Sequence, residues 1–274
     1  MTVIPLEQSL DAGVCGGKAA QLAVAVRAGL PVPRGATLST ELVEALAAGE
    51  PAAGAELERV WGFAQPPLAV RSSAVGEDSE AASFAGQHST YLNVSSPDEL
   101  MGAVQDVWRS AHAESALAYR RRLGLPEVPR VAVLVQELID AECAGVLFTR
   151  NPLDGADELV IEAAWGLGES VVAGLVTPDR FRVARDGTVL ERIVGEKDVA
   201  VAPAPGGGTR EVPVPPARAR SICLDDRRLA QLVRLAERCA RAFEGPRDIE
   251  WAAKAGEIWL LQCRAVTRAP LPSA

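Results

Sequence analysis

The chain has 274 residues, of which 48% are hydrophobic, and its formal net charge at pH 7 is −8. This length allows one large or two small domains, with ample apolar content for a core. The negative charge, without a basic run or an arginine- and lysine-rich stripe, argues against nucleic acid as a partner.

The composition also restricts the compartment. No hydrophobic run approaches the roughly 20 residues needed to span a bilayer, so no membrane association is expected. The amino-terminal residues lack a basic segment followed by an apolar one, which argues against a signal peptide. The five cysteines are scattered without a Cys-x-x-Cys pair. This spacing argues against a disulfide framework or a structural zinc site and favours a reducing, cytoplasmic compartment.

The first candidate site lies in a glycine-rich segment near the amino terminus. Gly16 and Gly17 precede Lys18, and apolar residues then recur at helical spacing until Gly29 and Pro31 end the helix. N–H groups at the start of a helix and a lysine ammonium can together bind an anion. An exposed lysine in the first turn, with no ligand, is the alternative interpretation.

The next predicted elements are a strand, a helix and a connection. Residues 36–38 are predicted as a short strand, and the segment from Thr40 to Gly49 is predicted as a helix with Thr40 as its N-cap. Residues 50–67 are rich in alanine, glycine and proline, which predicts a short connection.

The second candidate site is an arginine that follows the apolar run 68–70. Arg71 is followed by two hydroxyls, Ser72 and Ser73, and a loop of small residues leads to a returning strand at 90–94. A guanidinium beside N–H and O–H donors can bind phosphate oxygens, and small residues let the backbone approach the anion. A surface β-hairpin with a serine- and alanine-rich turn is the alternative interpretation.

The second half of the chain is predicted to be mainly strands. Its first strand is nearly continuous in apolar residues, as a buried central strand should be. The predicted elements from residue 96 onward are a helix at 96–123, strands at 131–139, 145–149 and 159–163, an edge hairpin at 180–201, a loop at 202–217 and an amphipathic helix at 225–243 with Asp225 as its N-cap.

A carboxy-terminal hairpin supplies the third candidate site. A turn near Gly256 sets Glu250 opposite Gln262 and Asp248 opposite Arg264. Glutamate and glutamine offer oxygen, the ligand that Mg²⁺ takes while it also holds substrate phosphates, and an arginine beside them can clamp a phosphate. A cross-strand salt bridge at an exposed sheet edge is the alternative.

Strict alternation along the last strand adds a second expectation for this hairpin. It predicts that Ile258 and Leu260 share a face with Gln262 and Arg264. Polar groups in the middle of a strand, among tryptophans and leucines, need partners or a function.

Four segments of the chain together resemble the nucleotide-binding domain shared by pyruvate phosphate dikinase, phosphoenolpyruvate synthase and rifampicin phosphotransferase. They occur in the order of that family and cover almost the whole chain. The segments are GGKAAQL with GLPVPRG (16–35), AVRSSAVGEDSEAASFAGQHSTYLNV (69–94), VLVQELIDAECAGVLFTRNP with IEAAWGLGESVVAGLVTPDRF (133–181) and DIEWAAKAGEIWLLQCRAVT (248–267).

The resemblance implies a fold. It predicts an α+β, two-lobed ATP-grasp fold with the nucleotide held between the lobes. The amino-terminal lobe, with the phosphate-binding loop, is expected at 1–125, and the carboxy-terminal lobe, with the hinge and the metal-binding hairpin, at 126–274.

The resemblance also implies roles for individual residues in the first half of the site. Lys18 and Arg71 are similar to the family's phosphate-binding lysine and arginine, and both are expected to be catalytic. The segment from Ser72 to Gly86, which includes Ser73, resembles the mobile loop that closes over the triphosphate.

In the second half of the site the resemblance extends from the hinge to the hairpin. Gln136, Glu137 and Leu138 resemble the hinge that hydrogen-bonds adenine, and Glu162 resembles a polar residue near the ribose or the hinge. The hairpin residues match the family's positions by type and spacing: Asp248 and Arg264 as catalytic and phosphate-clamping groups, and Glu250 and Gln262 as Mg²⁺ ligands.

The family's reaction implies a partner. In the family, ATP is cleaved to AMP and phosphate, and a phosphoryl group passes to a histidine on a swivelling domain. Neither His88 nor His112 lies in the glycine- and threonine-flanked context that the family uses, so the acceptor is expected on a separate phosphohistidine protein. Two other readings stay open: a non-catalytic ATP-binding regulatory module, and an ATP-grasp ligase that forms an acyl phosphate.

Overall fold

Contacts within the chain divide it into two units. The structure is a computed structural model that describes residues 1–76, 89–122, 124, 126 and 128–266. Of the described residues, the first unit comprises those within 1–76, 89–140 and 202–211, and the second comprises those within 141–201 and 212–266. The first unit extends beyond the predicted boundary at 125/126, because the strand at 131–137 pairs with strands on either side of it in that unit.

The first unit is built on an antiparallel sheet in the order β1-β2-β5-β3-β4. Its strands are β1 (Val3–Pro5), β2 (Gly35–Leu38), β3 (Leu68–Ala74), β4 (Thr90–Val94) and β5 (Val131–Glu137). Its helices are α1 (Ala12–Arg27), α2 (Thr40–Ala47), α3 (Pro51–Leu57), α4 (Pro97–Ala111) and α5 (Glu114–Arg122), with short 3₁₀ segments at Leu6–Gln8 and Glu58–Gly62.

The two faces of this sheet carry different helices. One face buries Val70, Val133 and Leu38 against apolar residues of α2, α3 and α4, which form one hydrophobic core cluster. Helix α1 packs against β3 and β5 and contributes nothing to that cluster, so it covers the other face. The site residues of this unit are therefore sorted by strand alternation between a core face and an α1 face.

The second unit is built on an antiparallel sheet in the order β13-β12-β6-β7-β8-β9. Its strands are β6 (Cys143–Phe148), β7 (Glu158–Trp165), β8 (Asp179–Ala184), β9 (Val189–Ile193), β12 (Arg247–Lys254) and β13 (Glu257–Ala265), and its helices are α6 (Glu169–Val172), α7 (Pro216–Ala219) and α8 (Asp226–Ala242). The predicted N-cap of the long helix is confirmed, since the Asp225 side chain accepts a hydrogen bond from the Arg228 N–H.

Two predicted loops contain regular structure. Residues 50–67 include α3 and a 3₁₀ segment. In the sequence, only Pro51, a residue favoured at the first helical position, indicates the start of α3. Residues 202–217 include part of a hairpin of β10 (Val199–Pro203) and β11 (Thr209–Pro213). The glycines that suggested a flexible connection occupy its turn, where Gly206, Gly207 and Gly208 all have positive φ.

Helix ends account for two further differences. Ser39, not Thr40, caps α2, because its hydroxyl accepts the Leu42 N–H at 3.2 Å. The helix predicted at 96–123 is two helices, and α4 ends before His112. Within the part of the chain that the structure describes, each helix is too short or too polar to cross a lipid bilayer.

Asn93 connects β4 to the β10–β11 turn. It has a φ of 61° and lies where the pairing of β3 with β4 shifts register, as the extra residue of a bulge. Its amide donates to the carbonyl oxygens of Ala204 at 2.8 Å and Gly208 at 2.9 Å. One side chain thus holds both sides of the turn.

Replacing Asn93 by alanine is expected to destabilise the first unit by about 2 kcal/mol, since it loses two hydrogen bonds and alanine disfavours positive φ. Thermal unfolding measures the loss, and amide exchange should quicken at residues 202–211. Asn93→Gly is the control that tolerates the φ but lacks the amide. Unchanged exchange at 202–211 in both variants would contradict the assigned role.

Candidate functional site

Strand β3 places Arg71 and Ser73 on the α1 face of the first unit. Both alternate with Val70, which lies in the core cluster, so their side chains point to the opposite face. The Ser73 hydroxyl accepts the Ala19 N–H of α1 at 3.0 Å, which fixes β3 against this helix. Lys18 directly precedes Ala19 on α1, and Arg71 lies on β3. The two predicted phosphate-binding cations of this unit therefore belong to two elements that are joined by a hydrogen bond.

Lys18 is buried, unlike the exposed lysine of the alternative interpretation, with only 6% of its surface accessible. Buried lysines need polar partners or a ligand, because removing the ammonium from water costs free energy. The helix is broken just before it, at Gly16, where φ is 76°. The predicted helix start at the glycine pair is therefore the restart of a helix that begins earlier, at Ala12, with Asp11 as its cap.

Ser72 lies on the other face of the sheet from Arg71. It pairs with Val133 of the core cluster and is only 3% exposed. Its hydroxyl oxygen has no hydrogen-bond partner within the described residues. Strand alternation thus separates the two serines that the sequence placed together, and phosphate binding by Ser72 stays a prediction.

The predicted hinge makes hydrogen bonds within its own unit. The Gln136 amide donates to the Pro33 carbonyl at 3.2 Å, and the Glu137 carboxylate accepts the Gln65 N–H at 3.1 Å. The Leu138 N–H donates to the Pro67 carbonyl at 2.8 Å. An adenine bond from the Leu138 N–H would have to replace that one, so its role stays a prediction.

In the second unit, the structure confirms the predicted register of the carboxy-terminal hairpin. Glu250 lies opposite Gln262, and Asp248 lies opposite Arg264. Directly opposed residues of antiparallel strands have their side chains on one face, with Cβ atoms about 5 Å apart. The four candidate residues therefore form a compact square on one face of β12 and β13.

The distribution of side chains between the two faces of this hairpin differs from the one predicted by strict alternation. The pairing shifts between Glu250 and Trp251, so that Trp251 opposes Leu260 and Leu261 is the extra residue of a bulge. Leu260 and Ile258 therefore lie on the face of Trp251, opposite to Gln262. The prediction that they share a face with Gln262 was wrong, because strict alternation fails at a bulge. The bulge keeps the apolar side chains off the polar square.

Asp248 and Arg264 form the ion pair of this square. The Arg264 Nε donates to Asp248 Oδ2 at 2.8 Å, and its Nη2 lies 2.7 Å from the same oxygen. Burial raises the pKa of the Asp248 carboxyl above its ordinary value, and the Arg264 charge opposes part of that rise. Asp248 Oδ1 is buried without a hydrogen-bond partner among the described residues.

Glu162 lies on the same face, two strands away from Glu250. Val146 pairs with Glu250 on one side and with Glu162 on the other, which separates the two glutamates by about 10 Å. Arg180 of β8 lies directly opposite Glu162, and its Nε is buried without a partner within the described residues. Arg180 is not among the residues predicted from the sequence: alternation in β8 indicates its face, but only the sheet register places it beside Glu162.

The square fits a magnesium ion that shares its ligands with a substrate. Among the described residues, no group of three or more histidine, cysteine, aspartate or glutamate side chains is arranged to hold a metal by itself. Mg²⁺ takes one or two carboxylates and completes its shell with phosphates and water, so the Glu250 carboxylate and the Gln262 amide oxygen are the protein groups that would hold it. When bound, the ion would neutralise phosphate charge.

Part of the predicted phosphate loop, residues 77–86, lies outside the described residues, and so does His88. His112 is described, and its Nδ1 lies 2.9 Å from the Trp108 carbonyl at the end of α4.

Comparison with known proteins identifies the family. Residues 36–272 match the family described as pyruvate phosphate dikinase, AMP/ATP-binding domain. The chain belongs to this family. It is an ATP-binding domain of the kind found in phosphotransferases, and the predicted α+β, ATP-grasp fold is confirmed by the family together with the two α+β units.

The curated relatives are longer proteins. The chain is 38% identical over 245 residues to a rifampicin phosphotransferase of Streptomyces sviceus, covering 87% of this chain and 28% of the relative. It is 33% identical over 304 residues to a probable phosphoenolpyruvate synthase of Methanothermobacter thermautotrophicus, covering 94% of this chain and 44% of the relative. The chain thus spans less than half the length of these relatives.

Among solved structures, the VanG D-Ala:D-Ser ligase of Enterococcus faecalis is similar with a TM-score of 0.45 and 14% identity, over 95% of this chain and 56% of that one.

Proposed function

We propose that the chain is the ATP-cleaving part of a phosphotransferase that uses Mg²⁺ and passes a phosphoryl group to a histidine. The observation that carries this proposal is the polar square of β12 and β13, in which Glu250 opposes Gln262 and Asp248 opposes Arg264. An oxygen pair for a metal beside an arginine for a phosphate is an arrangement that supports phosphoryl transfer.

The site residues have three kinds of role in the proposed reaction: charge neutralisation, metal binding and phosphate clamping. Lys18 and Arg71 bind phosphate oxygens and neutralise charge that develops on them. Glu250 and Gln262 hold Mg²⁺, and Arg264, oriented by the Asp248 carboxylate at 2.8 Å, clamps the phosphoryl group. The protein mainly positions the reactants and stabilises charge, as is general for phosphoryl transfer.

The products follow from the balance of phosphoryl groups. Both phosphoanhydride bonds of ATP break: one phosphoryl group forms a bond to a histidine nitrogen, which loses its proton, the other is transferred to water and leaves as inorganic phosphate, and AMP remains. The acceptor histidine lies on a phosphohistidine domain, which we place on a separate protein. The greater length of the relatives supports the need for a further domain.

The five buried, free cysteines favour a reducing, cytoplasmic compartment.

The test is a nucleotide analysis of the purified chain after incubation with ATP and Mg²⁺, with and without a phosphohistidine domain from a relative. AMP and phosphate that appear only with that domain support the proposal. Tight ATP binding without AMP under both conditions would contradict it and would leave a non-catalytic ATP-binding module.

Glu250→Gln tests the metal role by binding alone. Replacing the carboxylate by an amide removes the charge that attracts Mg²⁺ but keeps the shape, so ATP affinity measured with Mg²⁺ should fall about tenfold, to the value measured without Mg²⁺. Calorimetry with and without Mg²⁺ measures the effect. The control is Glu257→Gln, which removes an exposed carboxylate at the start of β13. An unchanged Mg²⁺ dependence in Glu250→Gln would exclude Glu250 as a ligand.

A further inference from the structure

The break in α1 depends on a close approach to β3. A Cβ atom at Gly16 would lie 1.9 Å from the Ser73 carbonyl oxygen, so no residue with a side chain fits there. Gly16 also has a φ of 76°, which favours glycine. The residue at which the helix restarts therefore has no side chain that could cap it.

Ser73 supplies the missing cap from the neighbouring strand. In an ordinary helix the N-cap side chain accepts an N–H of the second or third helical residue. Here the Ala19 N–H, three residues after Gly16, donates to the Ser73 hydroxyl at 3.0 Å in a fully buried position. The glycine contact and this bond attach the restarted helix to β3 on both sides of Lys18.

This geometry links the two cations of the first unit. Arg71 and Ser73 are two residues apart on β3, so they point to the same face. Lys18 lies between the two points at which α1 is attached to that strand. We propose that Ser73 is a positioning residue, which places the Lys18 ammonium for the phosphates of ATP and does not itself contact them. This inference rests on the proposed function.

A double-mutant cycle tests the inference on the full chain. ATP affinity is measured by calorimetry for the unchanged chain, Ser73→Ala, Lys18→Met and the double variant. Ser73→Ala should raise the Kd for ATP about tenfold, and this effect should vanish in the Lys18→Met background, because the misplaced ammonium is then absent. Ser73→Cys, which keeps a weak acceptor, should give a smaller loss and serves if Ser73→Ala does not fold.

Ser39→Ala is the matched control. Ser39 is equally buried and also caps a helix of the first unit, through the Leu42 N–H at 3.2 Å. It should lower the melting temperature as Ser73→Ala does and leave the Kd for ATP unchanged. A purely structural role for Ser73 predicts that both variants behave alike.

The outcomes separate this inference from the proposed function. If Ser73→Ala leaves the Kd unchanged, or weakens ATP binding equally with and without Lys18, the positioning role is wrong; the second result would indicate direct phosphate contact by Ser73. If the unchanged chain binds no ATP, or Lys18→Met binds ATP as well as the unchanged chain, the proposed phosphate site itself fails.

Discussion

Gly16→Ala is expected to destabilise the chain by about 2–5 kcal/mol and to abolish measurable ATP binding. A left-handed φ costs an alanine about 1–2 kcal/mol, and overpacking a close contact costs about 1–3 kcal/mol more. The new methyl group would lie 1.9 Å from a backbone oxygen of Ser73, so relief requires α1 to move away from β3. That movement would displace Lys18, which follows the break.

Thermal unfolding and calorimetry with ATP measure the two effects of Gly16→Ala. The matched control is Gly49→Ala: Gly49 has a φ of 74°, but a Cβ there has no neighbour within 4 Å. It should cost only the conformational part, about 1 kcal/mol, and bind ATP normally. Equal losses in the two variants would show that the contact with Ser73 contributes nothing.

Arg264→Met is expected to abolish AMP release and to destabilise the second unit by about 2–3 kcal/mol at pH 8. Removing one partner of a buried ion pair leaves the other charge uncompensated, which costs about 3–5 kcal/mol when both are fully buried. The side chain of Asp248 is 9% exposed, but that of Arg264 is 36% exposed. Because water screens the partly exposed arginine, we expect a loss of about 2–3 kcal/mol, below the range for a fully buried pair. AMP release should be lost because, in the proposed function, this guanidinium clamps the phosphoryl group.

The pH dependence of this variant has a definite sign. The pKa of Asp248 is raised in the folded state by burial, so the folded chain binds its proton more tightly than the unfolded chain does. Stability from this group is present below its ordinary pKa and is lost as the pH rises through the raised value. Arg264→Met removes the positive charge that opposes the rise in the Asp248 pKa, so this pKa should rise further. The variant should therefore lose stability over a wider pH range above about 4, the ordinary pKa of an aspartate.

Chemical unfolding at several pH values measures this dependence. Arg264→Met combined with Asp248→Asn should recover most of the stability at pH 8 but none of the AMP release. Arg192→Met is the control in the same unit: its partner Asp226 is 81% exposed, and an exposed pair contributes about 0–1 kcal/mol. If Arg264→Met is as stable as this control at every pH, the ion pair with Arg264 does not stabilise the charged form of Asp248.

Several site features were correctly predicted from local patterns. The hairpin register around Gly256 followed from a short turn and alternating residues, and it set Glu250 opposite Gln262 without knowledge of the fold. The Asp225 cap and the family followed in the same way, from short-range signals. These features depend on residues close in sequence or on motifs that are themselves continuous segments.

Other features depended on contacts between segments far apart in the chain. Gly16 and Ser73 are 57 positions apart, and nothing in either segment indicates that this serine caps the helix. The bulge at Leu261 and the placement of Arg180 beside Glu162 likewise depend on pairing between strands. Sequence patterns were therefore sufficient for the family and for the hairpin register, whereas tertiary packing decided which face each residue occupies, because alternation specifies a face only after register and bulges are set.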